Sequence, residues 1–388
     1  PAGRSRFHAH PSIGKCGGGV GGRRASGRVT RRAALVYACW DARQQTAERL
    51  LDIAMNEGLW IGLGFAIVAG LCAGNCMLPM KFARRWQWEN LWLIFTIVSL
   101  ILIPWVLAFA LVRDLGTVYA GVGLAGLAAP LLFGAGWGVA QVLFGLSVAR
   151  LGLALGYAII IGLGAMLGTL VPLFVQHREV IATPRGLLVL TGVAVMVAGI
   201  AVTSWAGRQR EKAGGGASGS TSYPVALALA ILCGVLAPML NYSFAFGQHI
   251  AAAAAEMGTS PGNASYAVWP IGLAGGFVPN ILYSIHLLNR NKTWGRFAEA
   301  PGEGSLAGLM GLLWVGSISL YGMGTVYLGE LGTSAGWGLF QIFMILTANT
   351  SGMVTGEWKG TPRSYVRVFV AGLALLALAT VLIAMGNR

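Results

Sequence analysis

Residues 132–162 read LFGAGWGVAQVLFGLSVARLGLALGYAIIIG, and Arg150 is the only charge among them. Uncharged sequence continues on both sides, over 115–149 and 151–177. A helix needs about 20 apolar residues to cross the hydrocarbon of a bilayer. One arginine therefore separates two segments that are each long enough to span. A soluble domain has no use for two such segments back to back, so the stretch reads as two membrane helices joined by a short basic turn.

The rest of the chain repeats the pattern. It has 388 residues, 56% hydrophobic and only 10% charged, with 58 Gly. A soluble domain carries about 25% charged residues. The mean hydropathy of +0.69 excludes a soluble globule, which would expose large apolar patches, and excludes intrinsic disorder, which needs low hydrophobicity. Runs free of Asp, Glu, Lys and Arg occupy 58–80, 90–112, 115–149, 151–177, 186–207, 213–255, 257–289, 304–329, 331–356 and 368–387. These ten runs predict ten transmembrane helices. The third is expected to start near Pro130, after the Gly-rich GTVYAGVGLAGLAAP, and the sixth near Pro224, after GGGASGSTS.

Charge sets the orientation. The formal net charge is +14, but the charges cluster between spans rather than forming a face that could track phosphates, so no nucleic-acid partner is expected. The first, third, fifth, seventh and ninth connections hold Lys81, Arg84, Arg85, Arg150, Arg208, Arg210, Lys212, Arg290, Lys292, Arg296, Lys359, Arg363 and Arg367. The other side holds Arg113, Arg178, Arg185 and Arg388. The positive-inside rule puts the richer side in the cytoplasm and both ends of the helical region outside. Residues 1–54, with Arg4, Arg6, Lys15 and seven further basic residues, conflict with that orientation. They contain no Met, and Met55 directly precedes the first span. This extension is expected to be a non-native start, with an Arg- and Ser-rich targeting peptide as the other reading.

The polar segment 207–223 divides the spans five and five, so the reading is a first repeat at 55–206, a cytoplasmic Gly/Ser-rich linker at 207–223 and a second repeat at 224–388. An odd number per half gives the halves opposite orientation, as in the inverted repeats of secondary transporters. Arg150-LGLALGY-157 and Glu330-LGTSAGW-337 match at equivalent places in the two halves. Glycines at small-xxx-small spacing, such as Gly70/Gly74, Gly134/Gly138 and Gly272/Gly276, predict close helix packing.

No metalloprotease, nucleophile-elbow, phosphate-loop or Cys/His metal pattern occurs, so neither an enzyme nor a metal or cofactor site is expected. The polar residues inside the spans suit a transport cavity instead. Amides at Asn75, Gln141, Asn241, Asn280, Gln341 and Asn349 both donate and accept, as sugar hydroxyls do. Trp137, Tyr157, Tyr242, Trp269, Tyr321 and Trp337 offer ring faces to the C–H side of a pyranose. The substrate-site expectation is Asn75, Trp137, Gln141, Tyr157, Asn241, Tyr242, Trp337 and Gln341.

Several stretches resemble a known family: PMKFARRWQWEN at 79–90, IPWVLAFALV after it, the 132–162 stretch, TGVAVMVAGIAVTSWAG and GEWKG. In order, they resemble the bacterial L-rhamnose–proton symporters of the drug/metabolite transporter superfamily. The resemblance implies an all-α protein with ten helices in a five-plus-five inverted repeat, located in the inner membrane. It also implies uptake of L-rhamnose or a related sugar with a proton by alternating access, with the cavity between the two halves. The same architecture also serves exporters of metabolites, amino acids or amines, which is the second reading. The first motif places Lys81 and Glu89 on the family pattern; with Glu330 they are the expected proton-coupling groups. The oligomeric state is left open.

Overall fold

A computed structural model describes residues 57–151, 153–213, 223–356 and 358–387. The extension 1–54 and the Gly/Ser-rich stretch 214–222 of the linker lie outside the described residues. All regular structure among the described residues is helical. The long elements are α1 (Glu57–Phe82), α2 (Trp88–Leu111), α3 (Leu115–Leu151), α4 (Leu153–Gln176), α5 (Pro184–Ala213), α6 (Pro224–Glu256), α7 (Pro261–Asn291), α8 (Glu303–Tyr327), α9 (Ala335–Val354) and α10 (Arg363–Gly386). Among the described residues, α1–α8 and α10 are long and apolar enough to cross a membrane. The α9 helix falls short because Gln341, Thr347, Asn349, Thr350 and Ser351 dilute its apolar content.

Several helices are interrupted, at places the chain makes predictable. Proline lacks an N–H and crowds the preceding turn, and a π-turn at Ile97–Leu102 lies just ahead of Pro104 in α2. The α6 helix breaks at Pro238 and Gly247 into Tyr223–Leu236, Met239–Ala245 and Gln248–Glu256. The α3 helix departs from expectation, starting at Leu115 rather than near Pro130. Its Gly-rich first part is helical because Leu115 and Val118 are buried and the Tyr119 hydroxyl donates to Ala267 O at 2.8 Å. The break falls instead at Gly123 (φ 69°, ψ 168°), a left-handed backbone that only glycine adopts readily.

The connections α1–α2, α7–α8 and α9–α10 and the last turns of α5 gather at one end, called here the basic end. Glu303 at the start of α8 accepts from the backbone N–H of Arg84, Arg85 and Trp86 at 2.8–3.3 Å. Arg296 Nη1 donates to Arg85 O at 2.9 Å, and the Arg210 guanidinium lies 4.9 Å from the Trp358 ring. At the opposite end Arg113 N–H donates to Thr259 Oγ1 and Asn387 Nδ2 to Leu328 O.

Packing does not follow the two sequence halves. One core is built from α2, α3, α6, α7 and α8, with Phe244, Trp269, Leu273, Ile318 and Tyr321 at its centre. A second is built from α4, α5, α9 and α10, with Leu173, Met196, Leu339, Leu376 and Ile383. The α1 and α9 helices contribute to both, through Ala69, Ala73, Trp337 and Phe340 in one and Leu59, Ala66, Leu339 and Ile342 in the other. Each unit therefore draws helices from both halves. Two of the predicted glycine pairs face each other: a Cβ on Gly134 would overlap Gly272 O, and one on Gly138 would come within 2.6 Å of Gly276 O. Backbone contact of this kind drives helix association where lipid removes the hydrophobic effect. The outward faces stay apolar, as Phe109 (69% exposed) and Leu124 (88%) show.

Candidate transport path

A cavity of about 310 Å³ lies at the basic end, walled by α1, α4, α5, α9, α10 and the loop before α10. Asn75, Lys81, Thr203, Ser204, Asn349 and Ser351 supply its polar lining; Ile161, Ile200, Ile345, Trp358 and Phe369 supply the apolar wall. Ser351 Oγ donates to Asn75 Oδ1 at 2.7 Å, and Asn75 Nδ2 donates to Leu71 O at 3.1 Å. The Asn75 amide thus keeps one N–H and one lone pair toward the lumen. Lys81 is exposed at the rim, where Arg210 also lines the cavity.

The helix period extends this wall inward. On α9, Gly352, Asn349, Ile345 and Gln341 recur at spacings of three or four, so they share one face. Gln341 lies one turn deeper than the lining residue Ile345. It is only 6% exposed, and among the described residues no protein group meets its amide. On α4, Ile161 lines the cavity, while Gly164 and Gly168 lie on the same face one and two turns further in.

Beyond that level the two packing units are stitched together. Asn241, fully buried in the middle piece of α6, donates through Nδ2 to Gly168 O and to Thr333 O, each at 2.9 Å. Its Oδ1 accepts from the Tyr321 hydroxyl of α8 at 2.6 Å, and that hydroxyl also reaches Thr333 O at 3.4 Å. The amide group therefore has both donors used and its oxygen engaged. Tyr242 donates to Leu167 O at 2.9 Å, Trp337 Nε1 to Gly164 O at 3.4 Å and Gln176 Nε2 to Ala245 O at 3.2 Å. Tyr321 packs against Trp337 and Phe340, and Trp269 stacks on Phe244 at 4.5 Å. The buried Trp269 Nε1 has no acceptor among the described residues.

The expected substrate residues thus divide among several places. Asn75 and Lys81 line the cavity, joined by residues the sequence did not single out: Thr203, Ser204, Ser351 and Trp358. Ser351 lies near the end of α9 and Trp358 in the loop after it, while Thr203 and Ser204 lie within α5, where short hydroxyl side chains look like ordinary helix-packing residues. Asn241, Tyr242 and Trp337 form the closed network, and Gln341 lies between network and cavity. Trp137 is stacked on Trp314 at 5.2 Å inside the α2/α3/α7/α8 core. Gln141 is half-buried on α3, and the Tyr157 side chain lies outside the described residues. Among the coupling candidates, Glu89 is buried at the start of α2, where Asn291 Nδ2 and Thr293 Oγ1 donate to its Oε1 at 3.0 and 2.8 Å. Glu330 is exposed at the opposite end, within 4.8 Å of His177 and Glu179.

A polar-lined cavity backed by a buried hydrogen-bond network suits a carrier, and sequence comparison says of which kind. The profile of the family described as L-rhamnose-proton symport protein (RhaT) matches residues 55–388. The chain belongs to this family. Among individual members, the L-rhamnose-proton symporter of Mannheimia succiniciproducens is 29% identical over 341 residues, covering 86% of this chain and 99% of the relative. The L-rhamnose-proton symporters of Yersinia pestis and Yersinia pseudotuberculosis are each 27% identical with the same coverage. The symporter family is a transporter family, which agrees with the lack of an enzyme motif. PMKFARRWQWEN, which carried much of the resemblance, clasps Glu303 through its backbone N–H groups and accepts from the α7 end through Glu89, both at the basic end.

Proposed function

We propose that this chain imports L-rhamnose together with a proton by alternating access, and that the basic end is the cytoplasmic end in the inner membrane. The observation that carries the reading is the family match over the whole helical region, on a structure with a polar-lined cavity at its basic end. Positive charge favours the basic end inside, which makes this the inward-facing form. Sugar hydroxyls would meet Gln341, Asn75 and Asn349 along the α4/α9 seam. Gln141, Tyr157, Asn241, Tyr242, Trp137 and Trp337 complete the proposed substrate set.

The ten-span, inverted-repeat reading is part of this proposal. The α9 helix counts as a span because it is nearly enclosed by protein, where polar residues cost less than in lipid. Exchanging each helix for the one five positions away maps the packing onto itself: α2 packs on α7, α4 on α9 and α5 on α10. Likewise α3 packs on α7 as α8 packs on α2, and α4 on α5 as α9 on α10. The boundaries follow, with repeats at 55–206 and 224–388 joined by a cytoplasmic linker. This is the architecture implied by the resemblance to the drug/metabolite transporter superfamily.

Of the coupling candidates, Glu89 is the buried one, and we assign it the proton. Here its carboxylate accepts from Asn291 and Thr293 of the α7 end, an arrangement that suits the state after proton release inward. Protonation removes the charge that strengthens those bonds. Lys81 and Glu330 are the secondary choices. The test is uptake of labelled L-rhamnose in cells lacking their own rhamnose transporter, with and without a protonophore. Protonophore-sensitive accumulation is expected. Absence of uptake with the chain present in the membrane would overturn the reading.

A further inference from the structure

Asn241 and Tyr321 are joined in a way that a packing role alone does not require. Tyr321, on α8, belongs to the first core; Gly168 on α4 lies between Ala165 and Leu173 of the second, and Thr333, just before α9, between Leu331 and Ala335 of it. Asn241, on the short middle piece of α6, bonds all three. Both carbonyl acceptors lie in thin or irregular backbone: Gly168 has no side chain, and Thr333 lies in a turn. Such contacts form or break by small shifts of one unit against the other. Every bond of the network lies beyond the cavity, toward the opposite end. The closed state also leaves the Trp269 indole N–H without an acceptor beside Gly322 of α8.

We propose that Asn241 and Tyr321 are positioning residues of the transport cycle: together they latch the outer mouth shut by tying α8 to α4 and to the α8–α9 turn. The latch must open for sugar to enter. The inference rests on the orientation given above, but not on the identity of the sugar.

The test combines Thr333→Cys with Tyr321→Phe in the otherwise unchanged chain, the parent without Thr333→Cys serving as the baseline. Intact cells are treated with a membrane-impermeant thiol reagent without sugar, and labelling is normalised to the amount of chain in the membrane. Removing one net hydrogen bond shifts a two-state equilibrium by about fivefold, so labelling should speed up by about that factor. The apparent KM for external rhamnose should fall, a gain that mere structural damage does not produce. Asn241→Ala, read by labelling alone because Asn241 also stands in the proposed substrate set, carries the same test should Tyr321→Phe fail to reach the membrane. Tyr119→Phe is the control, because the Tyr119 bond to Ala267 lies within one packing unit; it should leave labelling unchanged. Unaltered labelling in both latch variants, or an equal rise in Tyr119→Phe, overturns the proposal even if rhamnose uptake stands.

Discussion

Gln341 and Asn241 are both amides buried within spans, yet they sit in opposite situations. Asn241 has protein partners for both donors and for its oxygen, while the Gln341 amide meets no described protein group. A buried amide without a partner is costly unless water or a ligand supplies one. Gln341→Ala should therefore raise the apparent KM for rhamnose about three- to tenfold, the worth of one hydrogen bond, without loss of membrane insertion. An unchanged KM in an uptake assay would remove Gln341 from the sugar's path. Glu89 makes a different prediction. Glu89→Gln should abolish protonophore-sensitive accumulation while sparing exchange of labelled for unlabelled rhamnose across the membrane. Loss of both would mark Glu89 as structural only. That these spans hold unusual amides, and that a carboxylate stands at the start of the second, was legible in the chain. Which amide is satisfied and which is free was not, because Asn241's partners at Gly168, Tyr321 and Thr333 are 73 to 92 residues away.

Among the elements, the α3–α7 contact has the tightest tolerance. A Cβ on Gly134 has no room against Gly272 O, whereas a Cβ on Gly145 of the same helix meets nothing within 4 Å. Gly134→Leu should strip the chain from the membrane fraction or lower its thermal stability in detergent; Gly145→Ala should change neither. Similar behaviour of the two variants would mean that α3 and α7 do not pack as described. The small-xxx-small spacing anticipated that these glycines pack, but spacing alone does not say which pair faces which. The helix starts show the same limit. Pro130 looked like the natural beginning of α3, yet the helix runs from Leu115 because buried Val118 and the Tyr119–Ala267 bond outweigh weak glycine propensity.

For the molecule as a whole, sidedness is the sharpest expectation. A cysteine at Thr361, in the connection between α9 and α10, should react with an impermeant thiol reagent only after cells are opened. One at Glu330 should react in intact cells. The reverse pattern would invert the orientation, and equal access would deny that α9 and its neighbours span. Alternating access also looks different once packing is known. The cavity was expected between the two five-helix halves, but the cores group α4, α5 and α10 apart from α2, α3, α6, α7 and α8, with α1 and α9 shared. The moving bodies in our proposal are these mixed units, and the Asn241 network crosses between them.

By itself, the amino-acid sequence determined that this is a helical membrane protein of the rhamnose–proton symport family. Span length, charge placement and the order of motifs are local properties, readable along one dimension. The sequence also located the amides, aromatic residues and close-packing glycines, because their chemistry is rare inside a span. Only the tertiary structure decided that the packing units interleave the halves, that Asn75 faces a cavity while Asn241 bonds Gly168, Thr333 and Tyr321, and that PMKFARRWQWEN clasps the start of α8. Those outcomes depend on contacts between residues far apart in the chain. Their energies come from which backbone carbonyl or ring happens to lie opposite, and no period or composition along the sequence encodes that.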